Sequence, residues 1–255
     1  MKEINTIMEN NRKTKPSPWT WIPTLYFAQG LPYVVAMTVA VIMYKRLGIS
    51  NTDIALYTSW LYLPWVIKPF WSPFVDMIKT KRWWIVTMQL LIGAGLAGVA
   101  FLIPMPFFFQ ATLSVLWLIA FSSATHDIAA DGFYMLALDT SEQSFFVGIR
   151  STFYRLAMIS GQGLLIILAG AMERYTHDIR LAWSITFYVL SGFFVMAFVY
   201  HRFMLPRPVS DGLSAIKTPK EIFSEFGRTF ASFFQKKGAG FAITFMLLYR
   251  LGEAM

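Results

Sequence analysis

From Trp83 to His126 the chain carries no Lys, Arg, Asp or Glu. A backbone in hydrocarbon must satisfy its own polar groups, so an apolar run of this kind reads as membrane-spanning helix. One crossing takes about 20 residues. This run is long enough for two, and Pro104-Met105-Pro106 is the natural hairpin between them. Other spans follow from Pro16–Tyr44, from Ile54–Val75 (interrupted only by Lys68), from Phe145–Met172 and from Leu181–His201. Gly240 opens a seventh, and the chain is expected to stop at Met255 part-way through it. Composition agrees: 14% of residues are charged and 56% hydrophobic, whereas a soluble domain carries about 25% charged residues. The fold class is all-α and polytopic.

Charge placement gives the orientation. With the N-terminus inside, one set of loops holds Lys2, Arg12, Lys13, Lys15, Lys79, Lys81, Arg82 and Arg150, and the connection after the sixth span adds many more. The other side holds only Lys45, Arg46, Arg174 and Arg180. Basic loops stay cytoplasmic, so the net charge of +8 reflects topology and calls for no nucleic acid partner. The first span is too long for a signal h-region and lacks a small-residue cleavage site, so it is read as retained. Cysteine is absent, which rules out thiolate metal sites, and no metal or cofactor is expected.

The chain divides into a cytoplasmic tail (1–18), a six-helix bundle (19–204), a cytoplasmic linker (205–239) and the start of helix seven (240–255). Within the linker, Thr218, Pro219 and Glu221 read as an N-cap, N1 and capping-box helix start. Ile222, Phe223, Phe226, Phe230, Phe233 and Phe234 then share one helical face. Such a helix lies on the inner leaflet or packs on the cytoplasmic ends of the bundle.

Polar residues inside spans mark candidate sites. In the first span, Pro32 cannot donate to the Ala28 carbonyl, which frees an acceptor beside Gln29; Gly30-Leu31-Pro32 is a cavity wall or a packing kink. The second span ends in Lys68-Pro69-Phe70-Trp71-Ser72-Pro73-Phe74-Val75-Asp76, and Lys68 is expected to snorkel to the interface. Ser123, Asp127 and Asp131 recur every four residues on one face of the fourth span, with His126 alongside. Asp131 falls near the inner surface and Asp127 a turn deeper, making His126 and Asp127 the proton-relay candidates. Ser151, Arg155, Met158 and Gln162 form a stripe on the fifth span. Arg155 is expected level with Asp127, as a switchable or a permanent ion pair. Arg250 and Glu253 enter the seventh span together, the arginine suited to an anionic solute.

Asp76 and the basic residues after it resemble the second-loop signature of the major facilitator superfamily, with Ser72 where glycine is usual. The helix layout is similar to that superfamily's plan of two six-helix halves, here an N-terminal bundle truncated in the seventh helix. The ordered set Gly30-Leu31-Pro32, Lys68, Trp71-Ser72-Pro73, Asp76, Ala120-Phe121-Ser122-Ser123-Ala124, Asp127-Ile128, Asp131, Tyr154-Arg155-Leu156 and Tyr249-Arg250-Leu251-Gly252-Glu253 resembles the AmpG-type muropeptide permeases and their acetyl-coenzyme A transporter relatives. His126 and Ala130 depart from that pattern. The resemblance implies proton-driven import of anhydro-muropeptides for cell-wall recycling across a bacterial inner membrane. A C-terminal half of the same transporter would complete the pathway. Gln29, Arg155, Gln162 and Arg250 would then bind substrate, His126, Asp127 and Glu253 would couple protons, and Lys68, Asp76 and Asp131 would gate. The alternatives are a carrier of another anionic solute, such as an acyl-coenzyme A or a sugar derivative, an intramembrane enzyme using His126 and Asp127, or a membrane sensor without transport.

Overall fold

The computed structural model describes residues 16–208 and, beyond them, 210–212 and parts of 221–245. Every regular element among these residues is helical. Helix α1 spans Pro18–Arg46. A broken segment follows, in which α2 (Asn51–Thr58), α3 (Leu63–Val66) and α4 (Ser72–Ile78) are separated by short 3-10 turns. The remaining helices are α5 (Lys81–Leu102), α6 (Phe108–Ala137), α7 (Thr140–Thr176) and α8 (Ile179–Met204). Five of them, α1 and α5 to α8, are long and apolar enough to cross a membrane, as expected of a multi-pass membrane protein.

Two features depart from the sequence expectation. The span foreseen over Ile54–Val75 is not one helix. Pro64 and Pro73 each open a new helical piece, and Pro69 lies in a 3-10 turn between them, because a proline ring removes a backbone donor and crowds the preceding turn. In α1 the helix runs through Gly30-Leu31-Pro32 without breaking. The irregularity appears one turn later, as a π-helical stretch over Val35–Val39 in which the Ala40 N–H reaches back to the Val35 carbonyl.

Local chemistry sets the helix starts. Thr80 caps α5 by accepting from the Trp83 N–H at 3.1 Å. Asp139 and Glu142 form a reciprocal capping box at the head of α7. Asp178 accepts from the Arg180 and Leu181 N–H groups at 2.8 and 3.2 Å to open α8. The Pro104-Met105-Pro106 turn separates α5 from α6. The turn from α7 to α8 uses His177 in the left-handed region (φ 54°).

Helix α1 packs against α6, α7 and α8, while α5 lies between α6 and α8. The broken segment rests mainly on α6. One apolar cluster, with Tyr44, Leu96, Ile103, Leu116, Trp183 and Phe187, fills one end of the bundle. Another, with Trp21, Leu25, Val75, Ile85, Phe133 and Phe146, fills the end where α8 finishes. Helix α7 is the least covered of the five: it buries only Phe146, Ala157, Gly161 and Ala169, and Ile159 and Ile167 project fully outward.

At the end where α8 finishes, Asp211 is buried and accepts from the Lys81 and Arg82 backbone N–H groups at 2.7 and 3.0 Å. Arg82 donates to the carbonyls of Leu205 and Arg202. The chain leaving α8 is thereby tied to the start of α5. At the opposite end Arg46 pairs with Glu173, fixing α1 to α7. Thr218, Pro219 and the phenylalanines of the foreseen amphipathic helix lie outside the described residues, as do Met1–Lys15, Arg250 and Glu253.

Helices α1 and α7 approach through small residues. A Cβ on Gly161 would stand 2.1 Å from Val34 Cγ1, whereas one on Gly163 would meet nothing within 4 Å. Gly161→Ala is expected to destabilise the bundle by about 1–3 kcal/mol through overpacking, and Val34→Ala is expected to relieve it. Gly163→Ala should not destabilise. Thermal unfolding in detergent checks all three.

Candidate functional site

The α6 face carrying Ser123, Asp127 and Asp131 looks towards α1, α7 and the broken segment. Asp127 is almost wholly buried, and its Oδ2 accepts from Lys68 Nζ at 2.6 Å. This corrects two expectations. Lys68 does not snorkel outward: the 3-10 turn at Lys68–Phe70 aims its amine at α6, leaving the side chain 29% exposed. Asp127 is paired with Lys68 and not with Arg155. Matching depth was not sufficient, because the rotation of α7 about its axis leaves Arg155 on the uncovered side.

Gln29 on α1 lies beside the Asp127 carboxylate. Gln29 Oε1, Asp127 Oδ1 and, one turn along α6, Ser123 Oγ are buried without a well-formed hydrogen bond among the described residues. Buried polar atoms are nearly always satisfied. A Gln29 amide presenting its N–H group would satisfy the ionised carboxylate, and one presenting Oε1 would accept from the protonated form.

One turn from Asp127, a second ion pair joins Asp131 to Arg150 at 3.1 Å. Tyr26 donates its hydroxyl hydrogen to Asp131 at 3.1 Å, and Arg150 donates to the same hydroxyl at 3.1 Å. The Arg150 guanidinium also lies over the rings of Tyr26 and Tyr134, 5.3 and 4.8 Å from their centroids. Arg150 is therefore clamped. Arg155 has no such partner among the described residues. Tyr26, Gln29, Asp131, Arg150, Ser151, Tyr154 and Arg155 together line a cavity of about 260 Å³. Gln162 sits farther along the uncovered face of α7. Asp76 lies away from this cavity and pairs with Lys81, whose stem crosses α6 at Gly132.

His126 points elsewhere. Its Nε2 accepts from Gln89 Nε2 at 3.1 Å, and the Gln89 Oε1 accepts from His201 Nδ1 at 3.0 Å. His201 Nε2 in turn meets Thr24 Oγ1 at 3.0 Å. The chain Thr24–His201–Gln89–His126 links α1, α8, α5 and α6, and both imidazoles and the amide are fully buried. His126 is thus a tie between helices, separate from the Asp127 wall, and His201 is buried inside the bundle. Sequence reasoning passed over Gln89, although an amide in an uncharged span is itself a signal. Nothing local could have paired it with His201.

Removing one member of the buried ion pair should cost about 3–5 kcal/mol, because the other charge is left without compensation. Lys68→Met and Asp127→Leu combined should cost less than either alone. A double-mutant cycle of denaturant unfolding in detergent measures that coupling. Gln89→Leu strands both histidines, and a loss of about 1–3 kcal/mol per orphaned group is expected in the same assay.

The chain is similar to known proteins along most of its length. The chain is 27% identical over 238 residues to the "Anhydromuropeptide permease" of Escherichia coli (strain K12), which covers 90% of this chain and 45% of that protein. It is 28% identical over 246 residues to the "Putative transporter AmpG 4" of Rickettsia conorii (strain ATCC VR-613 / Malish 7), covering 91% of this chain and 56% of the relative. The chain thus spans about half the length of the curated relatives it matches. The model of the BT1 family matches residues 29–228, which contain the ion pairs, all of the cavity lining but Tyr26 and all of the histidine tie but Thr24. The chain belongs to the BT1 family.

Proposed function

We propose that this chain forms one wall of a proton-coupled importer that carries anhydro-muropeptides from periplasm to cytoplasm for peptidoglycan recycling. The observation that carries the reading is the Lys68–Asp127 ion pair, buried beside a polar cavity lined by Arg155, which has no partner among the described residues. Arg155, with Gln29 alongside, would receive a carboxylate of the solute. Ionised Asp127 holds Lys68. A proton arriving on its Oδ1 would let Asp127 donate to Gln29 Oε1, release Lys68 and loosen the broken segment from α6. Asp131–Arg150 and Asp76–Lys81 would serve as gates nearer the inner surface. The excess of basic residues at the end where α8 finishes supports placing that end in the cytoplasm. The names of the relatives support the solute class. Arg250, Gln162 and Glu253 would complete the site from the seventh helix and the far part of α7, with a C-terminal half closing the pathway.

A carrier of another anionic solute, such as an acyl-coenzyme A, uses the same cavity and differs only in what accompanies the anion. The intramembrane-enzyme reading loses its base, since His126 is committed to Gln89 and has no access to the cavity.

The test is uptake of a radiolabelled anhydro-muropeptide by the complete native polypeptide, with and without an uncoupler. Concentrative uptake should disappear with the uncoupler. Asp127→Asn should abolish concentrative uptake while sparing exchange of solute across the membrane, and Arg155→Ala should weaken both. This chain has no cysteine, so Ser151→Cys, made in a complete polypeptide whose other cysteines have been replaced, puts a reactive thiol on the cavity wall, and its labelling by a maleimide should slow when solute is present. Uncoupler-sensitive accumulation that survives Asp127→Asn would remove the assigned role.

A further inference from the structure

We infer that the cleft between α4, α5 and α6 seats one anionic glycerophospholipid, drawn from the leaflet that borders the end where α8 finishes. Under the orientation proposed above that is the inner leaflet, but the site itself does not depend on the transport reading. The cleft has a volume of about 200 Å³ and is lined by Trp71 and Ile78 from the broken segment, Trp84 and Leu91 from α5, and Phe121 and Thr125 from α6. Successive residues on a helix turn by about 100°. Phe121 and Thr125 therefore leave α6 on the side opposite Ser123 and Asp127. The cleft lies across α6 from the ionic wall and is no part of the solute cavity.

The chemistry of the cleft changes with depth in the order of a lipid molecule. Lys79 follows Ile78 at the end of the bundle, is exposed, and has no partner among the described residues. Trp84 stands about one turn along α5, and its indole N–H is buried without a well-formed hydrogen bond among the described residues. Leu91 lies about 10 Å deeper along the same helix, and Trp71 sets its ring 5.5 Å from that of Phe121 to form an apolar floor. A phosphate at Lys79, an ester oxygen at the Trp84 donor and an acyl chain between Leu91 and Phe121 would fit those levels in turn. Two other occupants fit less well. A second copy needs a broad face, about 800 Å² per partner, whereas the feature built here is a narrow cleft. A zwitterionic lipid brings its own cation to an end that is already cationic. Lys81 and Arg82 open α5 there, and Arg202 and Arg207 lie within electrostatic reach of Arg82, so with Lys79 the cations outnumber the nearby carboxylates of Asp76 and Asp211. Such a field selects a headgroup of net negative charge.

The probes are dioleoyl phosphatidylglycerol and dioleoyl phosphatidylethanolamine, titrated separately into the delipidated complete native polypeptide in non-ionic detergent, with bound lipids counted by native mass spectrometry. The first phosphatidylglycerol should bind about fivefold more tightly than phosphatidylethanolamine. Lys79→Gln, a change on an exposed side chain, should erase that preference. Trp84→Phe keeps a ring and removes the donor, and it should weaken both lipids by about three- to tenfold. Thr125→Trp should fill the cleft and remove the tight site; where that variant fails to fold, the Lys79 and Trp84 variants decide. Equal affinity of the native protein for the two lipids overturns the inference. So does a preference that survives Lys79→Gln, or phosphatidylglycerol binding unchanged by Trp84→Phe, since either result places the lipid outside the cleft.

Discussion

An ionised side chain surrounded by hydrocarbon has only its neighbours to stabilise it, and the arrangement of this protein follows from that requirement. Asp127 and Asp131 sit one turn apart on α6, and each has recruited a cation from a different element: Lys68 from the broken segment and Arg150 from α7. The two pairs are not equivalent. Asp127 is shielded, with its second oxygen lacking a well-formed hydrogen bond among the described residues, whereas Asp131 is half open and held within a clamp of two tyrosines and an arginine. A shielded pair breaks at high cost unless a proton arrives first. A clamped pair near the edge can persist. The proposed coupling role therefore falls on Asp127.

The broken segment is what allows that pairing. Irregular backbone at membrane depth is tolerated where protein covers it or where it borders a wet cavity. Here it lies on α6 and carries Lys68 inward. An uninterrupted helix over the same residues would have fixed the direction of Lys68 by its 100° step alone. Pro64, Pro69 and Pro73 release it from that periodicity. On the other flank of α6, His126 enters a neutral hydrogen-bonded chain with Gln89, His201 and Thr24. One helix thus separates a fixed polar tie from an ionic wall, although His126 and Asp127 are adjacent in sequence.

Several of these features could be read from the residues and several could not. The Pro104-Met105-Pro106 hairpin, the uncharged runs that became α5, α6 and α8, and the shared face of Ser123, Asp127 and Asp131 are local properties, visible as hydropathy and spacing. The expected pairing of Arg155 with Asp127 rested on depth, and depth says nothing about the angle at which a side chain leaves its helix. The snorkelling expected of Lys68 assumed a straight helix end, which the prolines removed. Asp211, which caps α5 from a position far along the chain, left no mark in its own neighbourhood.

What the sequence determined alone is the number of apolar runs, their turns and the presence of charge within them, since a single helix in lipid is stabilised by its own backbone bonds and its own apolar length. What only the tertiary structure decided is which charge meets which. Partner choice depends on helix rotation, on the close approach of α1 to α7 at Gly161, and on a bend in one segment that brings Lys68 across to Asp127. These quantities are set by packing between elements, and no single stretch of residues encodes them.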